Sequence, residues 1–420
     1  MKISDFSQLR YGMFVHFGLY SQIGRGEWTM NREKMSLAEL EKVAAEFNPA
    51  AFDADALCRL AIEGGMKYLV FTTMHHEGFR MYDSELSAFN AMNYCGRDLV
   101  KEIMDASKRH DLKIGLYHSL NNWYDQPDAV DALEDKVKYE KFISNTFTRL
   151  KELVSRFKSI DILWYDGWWP FNADGWQAER MNNELRAIQP QLIFNGRNGL
   201  PGDFGTPEGH LTAPVPWRPW EACMTLNRHW GFHKHDTYWK SPLEVIEMLL
   251  TCSVGKGNLL LNIGPDATGS VPSASGDIVR KVGQWIRDGG AELLAGLEPM
   301  PFAPIIREPN DRGDWDHAGP FGAYDHKLFQ ILFYYPGRKL TLTGLEMKVN
   351  AVSNKKYGKL DFKQENDRIT VTLPESMEHD FAPIIVFDCA SKPSIYRTGG
   401  MRTPSVEHPR YDPVQPDIAY

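Results

Sequence analysis

Asp166 closes the apolar run Ile162-Leu-Trp-Tyr165 and is followed by Gly167-Trp-Trp169, which holds a carboxylate at a predicted strand end between large aromatic rings. The neighbouring glycine leaves room for a ligand to approach. A carboxylate in this setting can attack an electrophilic carbon, or it can simply cap the loop that follows. Cleavage of a glycosidic bond needs a second carboxyl group, one to attack or activate water and one to protonate the leaving oxygen. Two loop glutamates offer it: Glu208 in Gly202-Asp-Phe-Gly-Thr-Pro-Glu208, and Glu221 in Trp217-Arg-Pro-Trp-Glu221. Shelter by Phe204, Trp217 and Trp220 would suit either to hold a proton near neutrality, whereas a solvated loop glutamate would have no such role. Other polar groups also close apolar runs: His16, with Glu27-Trp28 a loop later, then His75-His76, then Tyr117-His118. Strand alternation sends one of two adjacent residues inward and the other outward, so His75 and His76 both reach one pocket only if the strand end is irregular.

These residues need a scaffold that brings strand ends together. From residue 10 to about 297, short apolar runs alternate with amphipathic helical patterns, the signature of repeated βα units. Strands are predicted at Gly12–Gly18, Tyr68–Met74, Lys113–Ser119, Ile160–Gly167, Leu192–Arg197, Trp220–Thr225 and Asn258–Gly264. Helices are predicted at Ala54–Glu63, Asp98–His110 and Ala132–Lys158, and a further one starts at Ser241-Pro242. The pattern is that of a (β/α)8-like, TIM-type barrel with one strand missing or too irregular to see, and such a barrel gathers its chemistry at the carboxyl ends of its strands. After Pro301 the helical period gives way to alternating runs at Leu328–Tyr335, Leu340–Leu342, Arg368–Leu373 and Pro383–Asp388. The expected organisation is a barrel over 1–298, a small antiparallel β-sandwich over 299–392 and an extended tail over 393–420.

A net charge of −8, with no basic stripe, argues against a nucleic-acid or anionic-membrane partner and favours a neutral substrate. The five cysteines are scattered and unpaired in spacing, which suggests neither a disulfide framework nor a zinc module. Met1-Lys-Ile-Ser-Asp-Phe6 carries no apolar signal-peptide core, and no run approaches the roughly 18 apolar residues of a membrane span, so a cytoplasmic location is expected. Nothing in the sequence calls for a cofactor, and nothing in it speaks to the oligomeric state.

Six motifs follow one another along the chain: Tyr11-Gly-Met-Phe-Val-His-Phe-Gly-Leu-Tyr-Ser21 with Gly26-Glu-Trp28, Thr72-Thr-Met-His-His-Glu-Gly-Phe79, Gly96-Arg-Asp-Leu-Val100, Gly115-Leu-Tyr-His-Ser119, Leu163-Trp-Tyr-Asp-Gly167 and Gly257-Asn-Leu-Leu-Leu-Asn-Ile-Gly-Pro265. Together they resemble the α-L-fucosidases of glycoside hydrolase family 29. The resemblance implies a barrel followed by a β-sandwich and a retaining double displacement on fucosylated oligosaccharides, with Asp166 as nucleophile. It implies that His16, Glu27, Trp28, His75, His76 and Tyr117 surround the fucose ring, with Arg197 near the carboxylates and Trp230 among the substrate contacts. The Gly202–Glu208 segment resembles the one that carries the acid/base in the branch that prefers α-1,3 and α-1,4 linkages. Glu208 is therefore the expected acid/base, and Glu221 a pocket residue or the alternative acid/base. Two other readings compete. His229, His233 and His235 admit a metal-dependent barrel hydrolase, although His16 stands alone where a His-x-His pair would be needed. A catalytically silent glycan-binding protein would keep the barrel without the chemistry.

Overall fold

Strands buried on both faces read as continuous apolar runs, and here such runs assemble into one parallel sheet. In this computed structural model, which describes residues 1–298, 302–303, 315–316 and 318–396, the strands are β1 (Tyr11–Val15), β2 (Tyr68–Met74), β3 (Lys113–Ser119), β4 (Ile162–Asp166), β5 (Ile193–Phe194), β6 (Glu221–Thr225) and β7 (Asn258–Ile263). Their order is β5-β4-β3-β2-β1-β7-β6, and every neighbouring pair is parallel. This is the predicted barrel architecture, with each predicted strand present.

The gap between β5 and β6 is filled by the segment that follows β5. Phe204 bridges Asn195 of the β5 side, while Gly205 and Glu208 bridge Trp220 and Cys223 of the β6 side, all in parallel sense. The backbone bonds form a ladder: Asp203 N to Phe194 O, Gly205 N to Pro219 O, Glu221 N to Gly205 O, Cys223 N to Pro207 O and Gly209 N to Cys223 O. Residues 204–208 thus serve as the irregular eighth stave. Its Gly-Thr-Pro sequence hides it from any strand pattern, because proline cannot donate to a ladder.

The barrel interior is filled by alternate residues from successive strands, as the twofold repeat of a strand requires. Phe14, Tyr68, Val70, Tyr117, Ile162, Trp164, Ile193, Phe204, Cys223 and Leu260 form one buried cluster. Gly12 makes this packing possible, since a Cβ there would lie 2.4 Å from the Tyr68 ring. Outside the sheet, the predicted helices occur at Ala54–Glu63 and Leu99–Arg109, the latter capped by the Asp98 side chain on Lys101 N. The long predicted helix is two, Ala129–Glu134 and Lys136–Arg156, because Asp135 takes an extended backbone and caps the second.

By its internal contacts the chain divides into one unit of Met1–Ser241 with Gly257–Gly283 and another of Pro242–Lys256 with Gln284–Tyr420. The helix Pro242–Val254 therefore groups with the second unit although it stands between β6 and β7 in the chain. That unit holds two antiparallel sheets. One includes Gly319–Tyr324, Lys327–Ile331, Val349–Asn354 and Ile384–Cys389; the other consists of Lys339–Leu342, Phe362–Glu365 and Arg368–Thr372. Phe321, Leu328, Val352 and Phe387 of the first share a core with Leu340, Leu342, Ile369 and Val371 of the second. Residues 299–301, 304–314, 317 and the expected tail from 397 onward lie outside the described residues.

Candidate active site

At the carboxyl ends of the strands lies a cavity of about 140 Å³. β1 lines it with Phe14, β3 with Tyr117 and β4 with Trp164 and Asp166; His16 follows β1, His75 and His76 follow β2, and Arg197 follows β5. Glu208 and Cys223 contribute from the irregular stave and β6, while Trp28, Trp168, Trp169 and Trp230 complete the wall from loops. Phe14 with His16, and Trp164 with Asp166, sit two positions apart on one strand face. That spacing is the signal by which Phe14 and Trp164 could have been read beside their polar partners.

Asp166 is buried and its two oxygens are occupied differently. Oδ1 accepts from Arg197 Nη1 (3.0 Å), and Oδ2 accepts from Tyr117 Oη (2.8 Å) with His76 Nε2 at 3.6 Å. Burial pushes its carboxyl up, but Arg197, His76 and the two hydrogen bonds pull harder, so it sits below the usual aspartate range. After Asp166 the chain turns in the left-handed region at Gly167 (φ 67°), where a Cβ would lie 2.5 Å from Ser119 Oγ. The glycine thus spares Ser119 and the turn itself.

Arg197 reaches Asp166 because Asn195 ends β5 by extending its ladder with a side chain. Asn195 accepts from Tyr165 N (3.0 Å) and donates to Tyr165 O (2.9 Å), which frees the backbone to turn at Gly196. The second terminal nitrogen of Arg197 donates to Glu208 Oε2 (2.6 Å), and Nε donates to Thr206 Oγ1 (3.1 Å). One guanidinium therefore holds both carboxylates. Its planar fork suits this arrangement as an ammonium would not. Glu208 is not the sheltered group that Phe204 suggested, because Phe204 points into the barrel core while the Glu208 side chain is 45% exposed.

Two of the three cavity histidines have their tautomers set by neighbours. Asn262 donates to Trp230 O (2.7 Å), which leaves its Oδ1 to accept from His16 Nδ1 (2.7 Å). Ser119 donates to Asn121 O, so its oxygen accepts from His76 Nδ1 (2.7 Å). In both neutral rings Nε2 is left as an acceptor, suited to a hydroxyl. Burial holds His16 down to about 3 and also lowers His76, against the pull of Asp166. Both His75 and His76 line the cavity because β2 loses its even register with β3 between Thr72 and Met74. The strand end is irregular, which lifts the alternation rule. His75 stacks on Tyr117 at 12° and has Glu77 Oε2 3.7 Å from Nδ1.

Two predicted pocket residues stand behind the wall. Glu27 accepts from Gly231 N (2.8 Å) and so holds the loop that carries Trp230. Glu221 is fully buried and accepts from Tyr68 Oη and from Trp164 Nε1 (3.0 Å). Burial pushes Glu221 up to about 7, against these two donors and Arg197. Away from the cavity, His229 stacks on His233 (4.4 Å between centres) and bonds Asp236 (2.8 Å). Among the described residues no three His, Cys, Asp or Glu side chains converge as metal ligands, and no helix is long and apolar enough to cross a membrane.

Residues 2–291 match the family model described as alpha-L-fucosidase. The chain belongs to that family. The plasma alpha-L-fucosidase of Homo sapiens is 29% identical over 325 residues, covering 69% of this chain and 68% of its own. The tissue alpha-L-fucosidase of Rattus norvegicus is 29% identical over 419 residues, covering 88% and 85%. The solved structure of alpha-L-fucosidase isoenzyme 1 from Paenibacillus thiaminolyticus superposes with a TM-score of 0.79 at 29% identity, over 92% of this chain and 98% of its own. This family member is a glycoside hydrolase, an α-L-fucosidase of family 29 with the barrel-plus-sandwich fold.

Proposed function

We propose that the enzyme removes terminal α-L-fucose from oligosaccharides with retention of configuration, Asp166 acting as nucleophile and Glu208 as acid/base. The observation that carries this reading is the guanidinium of Arg197 gripping both carboxylates at the cavity. In the first step an Asp166 oxygen bonds to the anomeric carbon as the glycosidic bond breaks, and Glu208 gives its proton to the departing oxygen. Glu208 then takes a proton from water, whose oxygen bonds to the anomeric carbon as the Asp166 ester breaks. The half-exposed Glu208 side chain, on a stave joined by isolated bridges, has the freedom to leave Arg197 for the glycosidic oxygen. His16 and His76 offer acceptor nitrogens to the sugar hydroxyls, and Trp28, Trp169 and Trp230 offer flat faces to its C–H surface. A preference for α-1,3 and α-1,4 linkages is part of this proposal, on the likeness of the Gly202–Glu208 segment to that branch of the family.

Glu221 is the other reading for the acid/base. Its two bonds inside the barrel, to Tyr68 and Trp164, favour Glu208. The test is Asp166→Gly with azide. Turnover of an aryl fucoside should vanish, and azide should restore part of it with formation of fucosyl azide of inverted configuration. Normal turnover by Asp166→Gly without azide would sink the assignment.

A further inference from the structure

Glu221 occupies the first position of β6, beneath the cavity floor, and both its oxygens are taken: one by Tyr68 Oη from β2, the other by Trp164 Nε1 from β4 (3.0 Å). A side chain held twice in this way fixes the indole that it bonds. The guanidinium of Arg197 lies over that indole, 4.7 Å from the ring centre, and its two terminal nitrogens hold Asp166 (3.0 Å) and Glu208 (2.6 Å). Tyr117, which donates to Asp166, stacks on the same indole at 23°. Cys223, two residues along β6 from Glu221, places its sulfur 3.8 Å from Arg197 Nη2. A cation over an indole face is attracted by the ring's electron density, and a carboxylate on the indole N–H increases that density. We infer that Glu221 is a positioning residue: by locking Trp164 it sets the guanidinium of Arg197, and through Arg197 both carboxylates. The inference rests on the proposed roles of Asp166 and Glu208.

Two variants test it. Glu221→Gln removes one acceptor, and Trp164→Phe keeps an aromatic ring but loses the N–H. Their kcat and KM would be measured on an activated aryl fucoside and on a fucosylated oligosaccharide with a poor leaving group, with thermal unfolding as the check on folding. In each variant kcat should fall roughly ten- to thirtyfold, the worth of a desolvated cation–π contact, with KM little changed. The loss should be the same for both substrates, and the double variant should be no slower than the slower single. Losses that multiply in the double variant would overturn the inference. So would a kcat unchanged in Trp164→Phe, which carries the test alone should Glu221→Gln not fold. A loss much larger for the poor leaving group, together with acceleration of the activated aryl fucoside by azide, would make Glu221 the acid/base instead. Failure of the underlying mechanism would show elsewhere, as Asp166→Gly yielding no fucosyl azide.

Discussion

The low pKa of Asp166 comes from a contest that burial would win without Arg197 and His76. A carboxyl lowered in this way stays ionised as pH falls, so with Asp166 as the proposed nucleophile the acid limb of kcat/KM should lie below the usual aspartate range. Arg197→Lys keeps a charge but cannot fork between two carboxylates. The acid limb should move to higher pH, and kcat/KM should drop on the order of a hundredfold from misplaced groups; a pH-rate profile of the variant checks both. Glu77 presents the opposite case: burial pushes its carboxyl up to about 8, against the weaker pull of the Glu77 and Leu19 backbone. The folded chain then keeps a proton that the unfolded chain releases near the ordinary glutamate value, so stability falls as pH rises between those two values. Relative to wild type, Glu77→Gln should therefore gain in Tm between about pH 5 and pH 8, read by thermal unfolding across that range. The types of these residues, and their places at strand ends, were legible in the sequence. Which carboxylate would be buried was not: Glu208 lies open and Glu221 is enclosed, because burial depends on strands far apart in the chain.

At the scale of elements, the stave 204–208 decides where Glu208 stands, and it is held at its start by Asp203. That carboxylate accepts from Phe194 N (2.7 Å) and Arg186 Nη2 (2.6 Å), tying the stave to β5 and to the helix Ala178–Ile188. Asp203→Ala should cost about 1–3 kcal/mol, as expected when a backbone donor loses its partner, measurable by urea unfolding. If Glu208 is the acid/base as proposed, it should also slow poor leaving groups more than good ones, because Glu208 drifts while Asp166 stays on β4. Equal losses on both substrates would count against the stave as the element that places Glu208. The regular strands were legible because buried parallel strands are apolar throughout. The stave was not legible, since its pairing is made by isolated bridges among Gly, Thr and Pro.

For the molecule as a whole, an acidic barrel with an aromatic-walled cavity suits a neutral sugar rather than a charged polymer. Across a panel of α-1,2, α-1,3, α-1,4 and α-1,6 fucosylated oligosaccharides, kcat/KM should be at least tenfold higher for the α-1,3 and α-1,4 members, a gap of about 1.4 kcal/mol in transition-state binding. Equal rates across the panel would remove the linkage preference and leave the fucosidase. By itself the amino-acid sequence determined the alternation of strands and helices, the polar residues that close the strands and the two-part organisation, all of which are local patterns of residue type. Only the tertiary structure decided that Arg197 holds Asp166 and Glu208 together, that both His75 and His76 reach the cavity, and that Glu221 lies under the floor. Those outcomes depend on a register shift between β2 and β3, a barrel closed by an irregular stave, and an indole between two charged groups. Each joins residues that are distant in the chain, and no pattern of neighbouring residue types encodes such a contact.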